Sequence, residues 1–334
     1  MKRMKTKKSM EKTSFRGKSI VHAVFPRNPV LFSMLFIAFM SFMCSFVTAQ
    51  GQRVFRATAV SVSVNASVKR GNRVVPNLTA RDFRLTDNGV EQQIEAVSIE
   101  SVPIDVTLFL DTSGSTAGKL DDIKQDVQGI VRLLRPGDRF RLLTIGDSVY
   151  EPVSWVAAGT RVDQPFGAVG GISLIQDALV LALLHRPDAG RRHLIVGLTD
   201  RQDCGSVVSS AMLRELAGRS EAVLHLVDHS GGGGDLTYRL RTCSPRARVD
   251  GVSLIEEAAA RMGGELHRQS MFFRSSSLLR SFRTIFDDFR QSYVLRYSPS
   301  GVEPKGWHAI RVEVPSVKGA TVRARQGYYG DAAR

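Results

Sequence analysis

Long apolar runs are scarce in this chain. Only Val30–Val47 is long enough to concern a membrane, which excludes a polytopic membrane protein. Concentrated positive charge is also missing from the body of the chain. The net charge is +14, but residues 1–49 hold nine Lys/Arg against one acid, Glu11. The other 285 residues therefore carry only +6, dispersed, which gives a nucleic-acid partner no electrostatic footprint. Cysteine is rare, with three residues. No repeat of 20–50 residues is visible, so a solenoid or propeller is excluded. Several chemical signatures are absent too. There is no G-x-S-x-G elbow around Ser113, no Asp-x-Asp, no P-loop and no Rossmann fingerprint, and no His pair has ligand spacing. These absences argue against a hydrolase and leave a non-enzymatic expectation. With 43% apolar and 23% charged residues, the chain is of ordinary globular composition rather than disordered.

The basic segment before Val30, the apolar run, and Val47-Thr48-Ala49 ahead of Gln50 read as a signal peptide with a cleavage site. An uncleaved signal anchor is the rival. Either places the rest of the chain outside the cytoplasm, in the periplasm, the envelope or the medium. Membrane contact is then expected only through residues 30–47. Cys44 would leave with a cleaved leader. Cys204 and Cys243 would remain, either as a disulfide or as two separate thiols.

Four segments follow from the patterning. Residues 1–49 are the leader. Residues 50–102 are a β flank: Val60, Val62, Val64 and Ala66 share one face, and Asn88-Gly89 marks a hairpin. Residues 103–290 alternate strands and helices, the pattern of an α/β domain with a mostly parallel sheet. Expected strands are Ile104–Leu110, Phe140–Ile145, His193–Leu198 and Val223–Val227. Expected helices include Leu174–Leu184, Ser210–Arg219, Leu254–Met262 and Ser277–Phe289. Residues 291–334 return to β pattern in Tyr293–Tyr297, Ile310–Val314 and Val322–Arg325. Each flank is too short for a robust sandwich. The expectation is one sandwich built from both, with the α/β domain inserted.

Ligands of open α/β sheets lie at the carboxyl ends of the strands. Three polar clusters fall there. They are Asp111, Ser113 and Ser115; Gly170-Gly171-Ile172-Ser173 ahead of a helix holding Asp177; and Leu198-Thr199-Asp200. Carboxylates and hydroxyls without a nearby His or Cys suit a hard cation such as Mg²⁺ and do not suit Zn²⁺ or Cu⁺. The competing assignment for Asp111, Ser113 and Ser115 is helix capping, and for Asp200 an ordinary turn. Asp177 reads as a cap or a solvent-facing residue. His193 and His225 read as structural or core histidines, and His185, His229 and His267 as scattered.

Asp111-x-Ser113-x-Ser115 after an apolar strand, then a Gly-rich loop with a hydroxyl, then Thr199-Asp200 after a later strand, resembles the von Willebrand factor type A (VWFA, integrin I-like) domain. Residues Val75-Pro76-x-Leu78-Thr79-x-x-Asp82-Phe83 and Asp87-Asn88-Gly89-Val90 resemble the N-terminal flank of the exported VWFA-related proteins of acidobacteria. Tyr293-Val294-Leu295-x-Tyr297 and Arg323-Ala324-Arg325-x-Gly327-Tyr328-Tyr329 resemble that family's C-terminal flank. The resemblance implies a doubly wound, Rossmann-type sheet and a metal-ion-dependent adhesion site (MIDAS). It implies a divalent cation, Mg²⁺ or else Mn²⁺ or Ca²⁺, held by Asp111, Ser113, Ser115, Ser173 and Asp200. It also implies a protein partner whose acidic side chain completes the coordination. A structural envelope protein with a degenerate, metal-free site is the alternative. Two departures stand out. Ser173 replaces the family's Thr, with a one-residue offset to Asp177. Arg201 replaces the Gly that usually follows the third-loop Asp, so its guanidinium is expected to compete with the cation or to pair with Asp203.

Overall fold

In the computed structural model, residues 61–112, 120–162, 173–199, 201, 203, 205–228, 254–268 and 276–330 are described. The leader, Ser113, Ser115, Asp200, Cys204, Cys243 and Gly231–Gly234 lie outside the described residues. Among the described residues, no helix is long and apolar enough to cross a membrane.

The N-terminal flank forms β1 (Val62–Arg70), β2 (Arg73–Val74), a 3-10 turn at Ala80–Asp82, β3 (Arg84–Asp87), β4 (Val90–Gln92) and β5 (Ala96–Ile99). Asn88 and Gly89 both take positive φ between β3 and β4, the backbone of a type I′ hairpin. The central region gives β6 (Ile104–Asp111), α1 (Leu120–Leu133), β7 (Arg139–Ile145), β8 (Val149–Ala157), α2 (Ile175–Leu183), β9 (Arg192–Thr199), α3 (Ser210–Arg219) and β10 (Val223–Asp228). Helix α4 (residues 254–261), β11 (Leu266–Arg268) and α5 (Ser276–Arg290) complete it. The chain closes with β12 (Tyr293–Tyr297), β13 (Gly306–Glu313), β14 (Thr321–Ala324) and β15 (Gly327–Gly330).

The central sheet runs β11-β10-β9-β6-β7-β8. All its pairings are parallel except β8 on β7. The chain starts at β6, winds outward through β7 and β8, then crosses to β9 and winds the other way. The strand order therefore reverses between β6 and β9, the switch point of a doubly wound fold. β6 is buried along its whole length because both faces are covered. Ile104, Val106, Leu108 and Leu110 pack with Ile123, Val127 and Ile130 of α1 and Phe282, Ile285 and Phe286 of α5. Phe109 points the other way, among Leu179 of α2, Leu213 of α3 and Ile255 of α4. A Cβ on Gly197 of β9 would lie 2.0 Å from Cζ of the Phe109 ring, so a side chain there would force the ring to move.

The two flanks pair with one another. β1 lies antiparallel between β12 and β14, β12 also pairs with β5, and β13 lies between β15 and β3. The resulting five- and four-stranded sheets share one core, with Val64, Ala66, Leu85, Leu295, Tyr297 and Ile310 inside. Buried Asp87 crosslinks it, accepting hydrogen bonds from Tyr297 Oη (2.9 Å) and Tyr328 Oη (3.1 Å), with His308 Nδ1 at 2.8 Å. The α/β region is inserted between the adjacent strands β5 and β12. The outer face of β1 meets it: Asn65 accepts from buried Arg192 (2.7 Å), and Lys69 pairs with Asp288 of α5.

Three strands were not expected from the sequence. β8 carries Pro152 and its pairing with β7 is irregular, as befits an antiparallel edge strand. β11 and β15 span three and four residues, too short for periodicity to register.

Candidate metal centre

Asp111 is the last residue of β6 and is fully buried. The backbone beyond it is fixed by Thr112, whose N–H and hydroxyl both donate to Ile145 O at the end of β7, at 2.8 and 3.0 Å. Ser173, two residues before α2, donates its hydroxyl to the Asp111 carboxylate, 3.2 Å from each oxygen. Thr199, the last residue of β9, reaches Asp111 Oδ2 with its hydroxyl at 3.4 Å. A carboxylate and two hydroxyls thus converge in a buried position at the carboxyl edge of the sheet, across the β6/β9 switch point. Every donor atom among them is oxygen, the set that suits a hard divalent cation. The site residues that the sequence marks are therefore brought together as far as they are described: Asp111 and Ser173 touch. Ser113, Ser115 and Asp200 lie outside the described residues. Thr199 is an addition. It was visible only as the neighbour of Asp200, and its position at the strand end gives it access to Asp111.

Arg201 N donates to Thr199 Oγ1 (2.9 Å), and Arg201 takes a φ of 65°, a conformation that costs a side-chain-bearing residue about 1 kcal/mol. Of the two expectations for Arg201, competition with the cation or a pair with Asp203, the pair with Asp203 does not form. Arg201 instead pairs with Asp228 at the end of β10 (2.9 Å) and with Glu256 of α4. Asp203 is occupied elsewhere, accepting from Gln176 N (2.7 Å) and from Ser206 Oγ (2.6 Å). It thereby caps the first turn of α2, whose own N-cap residue, Leu174, offers no side-chain acceptor. Asp177 accepts from Val207 N and Val208 N (3.1 and 2.9 Å). Both carboxylates tie residues 206–208 to the first turn of α2.

The opposite end of the sheet shows a contrasting carboxylate. Asp105, near the start of β6, is fully buried and ringed by Arg139 (2.7 Å), Arg191 (2.6 Å) and His185 (2.9 Å). Burial alone would raise its carboxyl, but hydrogen bonds from Arg139, His185 and Arg191 outweigh that and hold it at about 2. It is a structural anion with its charge balanced by protein. His193 beside it is also structural, in hydrogen-bond contact with Thr107 Oγ1 (3.0 Å). Burial, then the neighbouring His185 and Arg141, push it down to about 3.

The six-stranded doubly wound sheet with its antiparallel edge strand and the acid-and-hydroxyl cluster at its switch point define the class: a doubly wound α/β fold with polar groups gathered at the carboxyl ends of its central strands. No protein-family model matches the chain, and no curated protein matches it. Solved structures do align. An aerotolerance-related membrane protein from Bacteroides fragilis aligns over 56% of this chain and 98% of its own, at 14% identity and a TM-score of 0.39. A von Willebrand factor type A protein from Catenulispora acidiphila aligns over 76% and 75%, at 12% identity and 0.39. Proximal thread matrix protein 1 from the mussel byssus, solved with zinc in its MIDAS motif, aligns over 62% and 50%, at 16% identity and 0.40.

Proposed function

We propose that this chain is an exported interaction module, not an enzyme, that grips an acidic side chain of a protein partner at a MIDAS-type centre. Asp111, Ser113, Ser115, Ser173 and Asp200 hold the cation, which is Mg²⁺ in this reading. The observation that carries it is the convergence of Ser173 and Thr199 on buried Asp111 at the switch point. When bound, the ion supplies positive charge that lowers the cost of burying a partner's carboxylate. The protein's own residues do the rest. Asp111 supplies a fixed negative charge, the hydroxyls supply neutral oxygens, and the strand ends hold them in place without a side chain that performs chemistry. Neutral hydroxyls leave more of the cation's charge for a partner than carboxylates would. Export through residues 1–49, and the absence of a nucleic-acid partner, belong to the same reading.

The alternative is a metal-free, structural role in the cell envelope, in which the same hydroxyls serve only as hydrogen-bond donors to Asp111. Calorimetric titration of Mg²⁺ into the full chain and its Asp111→Ala variant separates the two. Saturable binding that the substitution abolishes supports the interaction module. No binding in the wild-type chain favours the structural role.

A further inference from the structure

We propose that His225, Glu265 and His267 form a second metal site, for a borderline divalent ion of the zinc type, at the seam between the inserted α/β region and the sandwich. The strand register builds it. Leu226 of β10 pairs with Leu266 of β11, and Val227 with His267. Glu265 thus lies beside His225, and the alternation of side chains puts His225, Glu265 and His267 on one face. Gly264 permits the close approach of the two strands, because a Cβ there would overlap Leu224 O.

The three ligand atoms lie within 4.8 Å of one another. His225 Nδ1 is 3.0 Å from His267 Nε2, and His267 Nε2 is 3.5 Å from Glu265 Oε1. Ligands at about 2.0–2.1 Å from a tetrahedral ion stand about 3.3 Å apart, between these two spacings. Two imidazoles and one carboxylate are the donor set of a zinc-type centre with one position left open. It differs in kind from the all-oxygen set around Asp111. Burial lowers the pKa of both imidazoles, which favours the neutral, ligating form. The surrounding cations are paired rather than aimed at the ion. Arg323 of β14 holds Glu265 through Oε2, leaving Oε1 for the metal, and Lys69 is engaged by Asp288. An outer partner that orients a ligating carboxylate is a usual companion of such sites. Among the described residues β11 is the terminal strand, and Glu265 and His267 are half-buried whereas His225 is buried.

Cobalt titration of the full chain carrying Asp111→Ala tests this without involving the first site. The expected result is the strong visible absorption of four-coordinate Co²⁺ at one equivalent, displaced by Zn²⁺ and not by Mg²⁺. His267→Ala added to that background removes the absorption while far-UV circular dichroism is unchanged. Should His267→Ala fail to fold, Glu265→Gln takes its place, and at least a tenfold loss of cobalt affinity is expected. The proposal is overturned if the Asp111→Ala chain gives no such absorption at saturating cobalt, or if the absorption survives these substitutions at unchanged affinity. Loss of Mg²⁺ binding in Asp111→Ala bears only on the first site.

Discussion

Asp126 sits on the buried side of α1, and its Oδ2 has no hydrogen-bond partner among the described residues. Burial, with Asp122 one turn away, pushes its carboxyl up to about 6. Between pH 4 and 6 the folded chain therefore binds a proton that the unfolded chain has released, and this residue's contribution to stability falls as pH rises through that window. Asp126→Asn is expected to stabilise the protein at pH 7 by about 1–3 kcal/mol and to have a shrinking effect as pH falls below 6. Thermal melts of both chains from pH 4 to 7 check it. A constant difference across that range would contradict it. His193 acts in the opposite sense. Its lowered pKa means that the stability it supports is lost as pH falls from 6.5 towards 3, so the comparison must be variant against wild type at each pH. Arg201 offers a second test. Because its guanidinium pairs with Asp228 and Glu256, Arg201→Gly is expected to leave Mg²⁺ affinity within about threefold. It should lower stability by about 1–3 kcal/mol through loss of the charged pairs, partly offset by relief at positive φ. A tenfold gain in Mg²⁺ affinity would show instead that Arg201 competes with the cation.

At the scale of elements, the β10–β11 pair depends on one glycine. Gly264→Ala drives a methyl into Leu224 O, so it is expected to cost about 1–3 kcal/mol and to weaken the proposed His225–His267 site with it. Urea unfolding and cobalt absorption read the two effects. The same pair shows where sequence legibility stops. Strands such as β6 and β9 are legible because burial on both faces demands unbroken apolar runs. α5 is legible because Leu279, Phe282, Phe286 and Phe289 recur at helical spacing. β8, β11 and β15 are not, being irregular or too short. At the first centre, Asp111 and Ser173 are legible because strand ends and the loops beside them are where such a fold gathers polar groups. The direction of the Arg201 side chain is not, since it depends on acids 27 and 55 residues further on. His225, Glu265 and His267 escape detection for the same reason. Only the β10–β11 register, set across about 40 residues of chain, brings them to one face.

The whole molecule is tied together by its topology. The sandwich is assembled from both ends of the described chain, around an inserted domain that touches it through Arg192–Asn65, Lys69–Asp288 and Arg325, whose guanidinium donates to Gly218 O at 3.0 Å. The two tryptophans report on the two parts. Trp155 lies on β8 of the α/β sheet, and Trp307 on β13 of the sandwich, against Tyr329 and Arg261. Single-tryptophan variants, Trp155→Phe and Trp307→Phe, are expected to give the same denaturant midpoint, corrected for each variant's own stability, because neither part can open without exposing the seam. Midpoints that separate would show two independent units. Under the proposed function, this scaffold presents a divalent cation at the end of the inserted sheet. Anomalous scattering from crystals of the protein grown with Mn²⁺ tests that most directly. The account predicts an ion bound by Asp111, directly or through water, with the hydroxyls of Ser113, Ser115 and Ser173 as ligands. A well-ordered site in which Asp111 keeps only its hydrogen bonds to Ser173 and Thr199 at saturating Mn²⁺ would contradict it.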